Sequence, residues 1–168
     1  MKKIAIIGLT ALALKTSLFA NGFAALLYAP GAEGKELGGY QFDDTNYIKL
    51  KAGTIGSKSM EFGYYADFGF TFNSTNENGT SSDVKYNYYI FNAGPTLAIS
   101  ENIVVYAGVG VAHQRGVYFN NGEEFTTEDT KTELNINGGA MLTYGDYGLV
   151  AGYDSAAKAA NFGFLWKF

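Results

Sequence analysis

Asn161-Phe162-Gly163-Phe164-Leu165-Trp166-Lys167-Phe168 is the stretch whose reading decides the fold, because Phe162, Phe164, Trp166 and Phe168 share one parity. Successive side chains of a β-strand point to opposite faces. One face of this segment is therefore wholly aromatic, and the other carries Asn161, Gly163, Leu165 and Lys167.

The same two-residue period runs back through the chain. It is cleanest over Met60 to Phe72, where Met60, Phe62, Tyr64, Ala66, Phe68, Phe70 and Phe72 oppose Glu61, Gly63, Tyr65, Asp67, Gly69 and Thr71. Tyr47 to Ile55, Val84 to Ile99, Ile103 to Gln114, Glu133 to Tyr144 and Tyr147 to Asp154 repeat it, and Phe23 to Ala29 forms a short first strand ended by Pro30 and Gly31. Pro95 removes one ladder hydrogen bond and weakens its strand locally. Gly56-Ser57-Lys58, Ser100-Glu101-Asn102 and Gly145-Asp146 are tight turns, the last a two-residue hairpin signal. The other connections are long and polar, running over 31–45, 73–83 and about 119–131, with a medium one before Ala160. Eight strands with long and short connections in alternation predict an all-β, eight-stranded antiparallel up-and-down transmembrane barrel.

Ahead of the first strand, Met1-Lys2-Lys3, an apolar run from Ile4 to Leu14 and Ser17-Leu18-Phe19-Ala20 give the three-part layout of a secretory signal peptide. Cleavage after Ala20 is expected, leaving 21–168 as one barrel domain. The apolar run is too short, and interrupted by Lys15, for a transmembrane helix of ~20 residues. Removing Lys2, Lys3 and Lys15 leaves nine basic and sixteen acidic residues, a formal charge of −7. No basic patch for nucleic acid remains. The absence of cysteine excludes disulfides, thiol chemistry and lipid attachment at a cysteine.

Alternation alone does not separate a membrane barrel from a soluble one, because one inverts the other. Volume separates them. An eight-stranded barrel has an interior just wide enough for side chains to fill, and the apolar face collects Phe62, Phe68, Phe70, Phe91, Phe162, Phe164, Trp166, Phe168 and more. These residues belong outside, on lipid. Tyr47, Tyr64, Tyr89, Tyr144, Tyr147, Tyr153 and Trp166 fall near strand ends, where interfacial aromatic girdles lie.

The inward face then carries Lys49, Lys51 and Lys167 against Glu61, Asp67, Glu133 and Asp154, nearly balanced, as a narrow interior requires. Diagonal pairs Lys51 with Glu61 and Lys49 with Asp67 are expected across the second hairpin. They would be either core glue or an ion path. The sole histidine, His113, lies on the outward parity near a strand end, followed by Gln114 and Arg115. No nucleophile and base stand at catalytic spacing, no metal-ligand cluster occurs and no phosphate-binding glycine loop is present, so neither catalysis nor a cofactor is expected. Glu33, Glu36, Asp43 and Asp44 in the first long loop and Glu123, Glu124, Glu128 and Asp129 in the third form an acidic rim.

The chain resembles the small eight-stranded outer-membrane barrels of the OmpA transmembrane domain, OmpX and opacity-protein type. The resemblance rests on the signal peptide, on Tyr106-Ala107-Gly108-Val109-Gly110-Val111 and on the terminal Phe164-Leu165-Trp166-Lys167-Phe168. It implies a bacterial outer-membrane location, contact with the lipid bilayer and lipopolysaccharide, and insertion by the outer-membrane assembly machinery reading Phe164, Trp166 and Phe168 in the last strand. It covers the barrel alone, so the envelope tethering of full OmpA is not implied. The leading functional expectation is a non-enzymatic surface barrel whose acidic loops meet an envelope or host ligand. The alternative is a narrow channel for small solutes or apolar molecules. A third reading, an enzyme modifying lipid A, lacks the His-x-Ser pairing such deacylases use.

Overall fold

The computed structural model describes residues 21–34, 36–37, 40–71, 84–120, 123–125 and 130–168. The expected signal peptide, Phe72, the loop 73–83, Glu128 and Asp129 lie outside the described residues. Among the described residues the barrel strands are β1 (Gly22–Ala32), β2 (Thr45–Thr54), β3 (Phe62–Thr71), β4 (Val84–Ala98), β5 (Ile103–Asn120), β6 (Thr130–Tyr144), β7 (Tyr147–Asp154) and β8 (Ala159–Lys167). Each pairs antiparallel with the next in sequence, and β8 returns to β1 from Phe23↔Lys167 to Tyr28↔Phe162. Among the described residues, closure of the eight strands on each other leaves the barrel wall itself without an open edge, which is what allows strands to cross a bilayer.

Period-2 alternation sets the two faces. Phe62, Phe68, Phe91, Val109, Leu134, Ile136, Phe162 and Phe164 stand on the outer wall, Phe164 being 75% exposed and Leu134 68%. A continuous apolar wall of this extent is not tolerated against water. Tyr64, Tyr89, Tyr144, Tyr147, Tyr153 and Trp166 are also outward. Tyr47 is not: it shares the parity of Lys49, is fully buried in the lumen, and so leaves the girdle.

Strand ends depart from the sequence reading for local reasons. Pro30 and Gly31 do not end β1. They form a bulge between Ala29 and Ala32, with Gly31 at φ 65 and its N–H given to the Asn46 Oδ1 at 3.1 Å. β3 starts at Phe62, because Met60 takes φ 64 inside the turn. β5 and β6 run beyond the barrel rim, so part of the expected third loop is strand, extended by the rungs of Tyr118–Asn120 on Glu123–Phe125. Pro95 acts as expected: the β4–β5 ladder skips Gly94 and Pro95 and resumes in the same register at Thr96↔Tyr106. The Gly145-Asp146 hairpin closes on Tyr144↔Tyr147 with Gly145 at φ 59.

The lumen is filled in three tiers. Nearest the short turns, Phe23, Leu27, Ile55, Val104, Met141 and Leu165 belong to one apolar cluster. Nearest the long loops, Ala29, Tyr88, Ile90, Ala112 and Ala159 pack with Leu37 and Phe42 from the first loop. Charged and amide side chains lie between them.

Candidate functional site

The middle tier is built by register. Lys51 pairs across to Asp67, Asp67 to Asn92, Asn92 to Gly110 and Gly110 to Asn135, a row that climbs the inner wall through five strands. Lys49 and Tyr47 come from β2, Asn137 from β6, Asp154 from the end of β7 and Asn161 from β8.

Asp154 is the centre. Its Oδ2 accepts from Lys49 Nζ at 2.5 Å, Tyr47 Oη at 2.7 Å and Asn161 Nδ2 at 2.7 Å, and its Oδ1 accepts from Asn135 Nδ2 at 2.8 Å and Asn92 Nδ2 at 3.3 Å. Asp67 accepts from Lys51 Nζ at 2.7 Å, Asn92 Nδ2 at 2.7 Å and Asn137 Nδ2 at 3.2 Å, and lies 3.5 Å from Lys49 Nζ. The Lys51 ammonium also sits 3.6 Å and 3.9 Å from the ring centroids of Tyr65 and Tyr106, which meet edge to face at 5.2 Å. Two cations therefore face two anions, and donors from four strands surround the carboxylates. Buried ions are stable only when paired and fully hydrogen-bonded in this way.

Glycines give the network its room. A Cβ at Gly110 would fall 1.8 Å from Phe91 O and 2.5 Å from Asn92 Oδ1, where Asn135 Nδ2 crosses to Asn92 Oδ1 at 2.8 Å. At Gly152 it would fall 2.1 Å from Tyr106 Oη.

Of the charged residues expected in the lumen, Lys49, Lys51, Asp67 and Asp154 meet in this tier. Glu133 stands higher, partly exposed, accepting from Gln114 Nε2 at 2.7 Å and lying 3.7 Å from Lys131. Lys167 is half-buried at the short-turn mouth, lining a polar hollow of about 290 Å³ with Glu101, Asp146 and Ser57. Glu61 corrects the expected pairing with Lys51. It is exposed in the β2–β3 turn, where its Oε2 accepts from Ser57 N at 2.7 Å, Ser57 Oγ at 3.0 Å and Lys58 N at 3.0 Å. The Ser57 hydroxyl, then the two backbone N–H groups, hold its carboxyl below the usual range. Glu61 lies just outside β3, where the turn at Met60 resets the side-chain direction and the strand period no longer holds.

Sequence reasoning missed the amides Asn92, Asn135, Asn137 and Asn161 and the phenol of Tyr47. Their signal was parity alone, because every one lies on the inward row. Phe162 and Phe164 stand on the lipid-facing wall of β8, and Phe168 covers Gly22, whose added Cβ would fall 2.5 Å from its ring. His113 Nδ1 faces Thr132 Oγ1 at 2.9 Å on the neighbouring strand, while Ser155 Oγ bonds Ile136 N and Asn135 Oδ1. Among the described residues no three His, Asp or Glu side chains converge on a metal position.

No protein-family model matches the sequence, and no curated protein matches it. Its fold is nonetheless shared with solved structures. It is similar to Ail, the attachment invasion locus protein of Yersinia pestis, in complex with the heparin analogue sucrose octasulfate, at TM-score 0.65 and 20% identity over 88% of this chain and 99% of that one. Neisserial surface protein A aligns at TM-score 0.53 and 13% identity, covering 88% and 96%. The outer membrane protein OprG of Pseudomonas aeruginosa aligns at 0.51 and 12%, covering 89% and 97%. The chain has the fold of a small eight-stranded outer-membrane β-barrel.

Proposed function

We propose that the protein is a non-enzymatic barrel of the bacterial outer membrane, reached by a signal peptide cleaved after Ala20, that presents its long loops outward to an envelope or host ligand and does not conduct. The observation that carries this reading is the closed middle tier. Lys49 and Lys51 are 1% exposed and Asp154 is 0%, so no water-sized gap reaches these charges. A plug of mutually satisfied ions counts against the alternative of a narrow channel, which needs a continuous polar gap. In this reading the inner charges are core glue. The acidic rim, including Glu33, Glu36, Asp43 and Asp44, faces a cationic partner or surface, unlike the sulfated ligand named for Ail. Lipid and lipopolysaccharide cover the aromatic wall, and Phe164, Trp166 and Phe168 serve as the assembly signal.

The test is single-channel recording on the barrel in planar bilayers, with the Lys49→Ala, Lys51→Ala double variant beside it. Silence in the wild type supports the sealed lumen. Reproducible unitary conductance whose ion selectivity shifts in the variant would overturn it. Cells displaying the barrel should bind a cationic peptide better than heparin, and changing Glu33, Glu36, Asp43 and Asp44 to glutamine should remove the preference.

A further inference from the structure

The lipid-facing wall is not uniform. Ala24, Ala52, Ala66 and Ala93 stand opposite one another across β1, β2, β3 and β4, and the next outward row toward the long loops is Leu26, Leu50, Phe68 and Phe91, paired in the same way. Four short side chains beside four long ones leave a groove of about 620 Å³, lined toward the short turns by Tyr64 and Phe168. Trp166 stands opposite Ala24 at one end of the alanine row, and Val109 opposite Ala93 at the other.

Phe168 also lines the polar hollow of about 290 Å³ at the short-turn mouth. An apolar groove and a charged hollow therefore meet at one ring. The hollow carries one cation, the half-buried Lys167, and two anions, the exposed Glu101 and Asp146. Among the described residues no side-chain hydrogen bond or ion pair joins these three groups to each other or to another residue. Charges of both signs, held apart in one small hollow, are complementary to a ligand that itself carries both signs. The outward Tyr64, Tyr144, Tyr147 and Trp166 at this end set the hollow at the level of lipid headgroups. Within hydrocarbon an acyl chain and an apolar wall exchange like for like, so the groove offers only close packing, and the hollow must choose the ligand.

We propose that groove and hollow form one binding site for a phospholipid of the periplasmic leaflet with a zwitterionic amine headgroup, phosphatidylethanolamine. One acyl chain lies along the alanines, the phosphate meets Lys167, and the ammonium donates to Glu101 and Asp146. Phosphatidylglycerol brings no cation to the two carboxylates. The quaternary nitrogen of phosphatidylcholine brings charge but no N–H donor. The inference rests on the orientation proposed above, with the long loops outward, because only then does the hollow open on the phospholipid leaflet.

The test is native mass spectrometry of the protein, expressed with its leader, purified from outer membranes into maltoside micelles and titrated separately with the three lipids. A single saturable adduct is expected with phosphatidylethanolamine, held roughly two- to tenfold more tightly than with the other two. Glu101→Gln combined with Asp146→Asn should erase that preference. Lys167→Gln should weaken phosphatidylethanolamine and phosphatidylglycerol alike, by about two- to fivefold. Ala66→Leu fills the groove with a residue type already present on the wall, and should weaken all three lipids without changing their order. Absence of a saturable adduct, or a headgroup order that survives the double carboxylate change, would overturn the site. The orientation is read separately. The chain has no cysteine, so Lys58→Cys in the β2–β3 turn takes a single label. Its protection from a membrane-impermeant maleimide on intact cells supports the periplasmic leaflet, and labelling there would overturn the orientation and the choice of leaflet with it.

Discussion

Two sets of ion pairs in this barrel have the same chemistry and opposite surroundings. Lys49, Lys51, Asp67 and Asp154 are sealed at mid-lumen, each side chain 0–1% exposed. Glu33 with Lys158 and Lys131 with Glu133 lie at the long-loop end in contact with solvent. In water a lost partner is replaced by hydration and the pair is screened by salt. In the sealed tier nothing replaces it, so each member fixes the position of the others. The buried set therefore ties β2 to β3 and β7, whereas the exposed set fastens only the first loop and the outer end of β6.

The comparison breaks most sharply at Asp154. Asp154→Ala removes the acceptor shared by Lys49, Tyr47, Asn92, Asn135 and Asn161, and should lower unfolding stability by about 3–5 kcal/mol, read as a fall in the urea midpoint of the barrel in detergent. Lys51→Met should cost about 3 kcal/mol alone. Combined with Asp67→Leu, which keeps the tier neutral through Lys49 and Asp154, it should cost at least about 1 kcal/mol less than the two single changes together. An additive cycle would show that the pair does not act as a unit.

Gly110→Ala should cost about 1–3 kcal/mol, because its Cβ meets the backbone at Phe91 O and the amide of Asn92. Loss of protection in amide exchange should centre on β4 and β5. Glu61 supplies a pH test on the exposed side. Its lowered carboxyl stabilises the fold above the ordinary carboxylate range and loses that contribution as pH falls through the folded value. Glu61→Gln should therefore differ from wild type near neutrality, and the difference should vanish in strong acid. The smallest effect belongs to Lys158→Ala: the Glu33 carboxylate raises the Lys158 pKa by hydrogen bond and charge, yet the pair is exposed, and no shift in thermal midpoint is expected at high salt.

The outer wall was legible residue by residue, from Phe62 to Phe164, because parity is a local property of extended backbone. Parity also put Lys49, Lys51, Asp67 and Asp154 inside. It failed where the backbone stops being a strand: at Met60, whose positive φ turns Glu61 away from the lumen, and at Pro30 and Gly31, where a bulge lets β1 continue. Tyr47 was misplaced by its nearness to a strand end, although its parity with Lys49 was in plain view.

What the sequence by itself determined is therefore two-faced strands, their number and the inverted polarity that asks for lipid outside. All three follow from a two-residue repeat and from side-chain volumes. Which charges meet was decided by the tertiary structure alone. Lys49 and Asp154 are 105 positions apart and become neighbours only because closure of β8 on β1 and the tilt of the strands bring their rows to one height. The same holds for Leu37 and Phe42, loop residues without a strand period, whose place inside the upper tier depends on the gap the alanines leave.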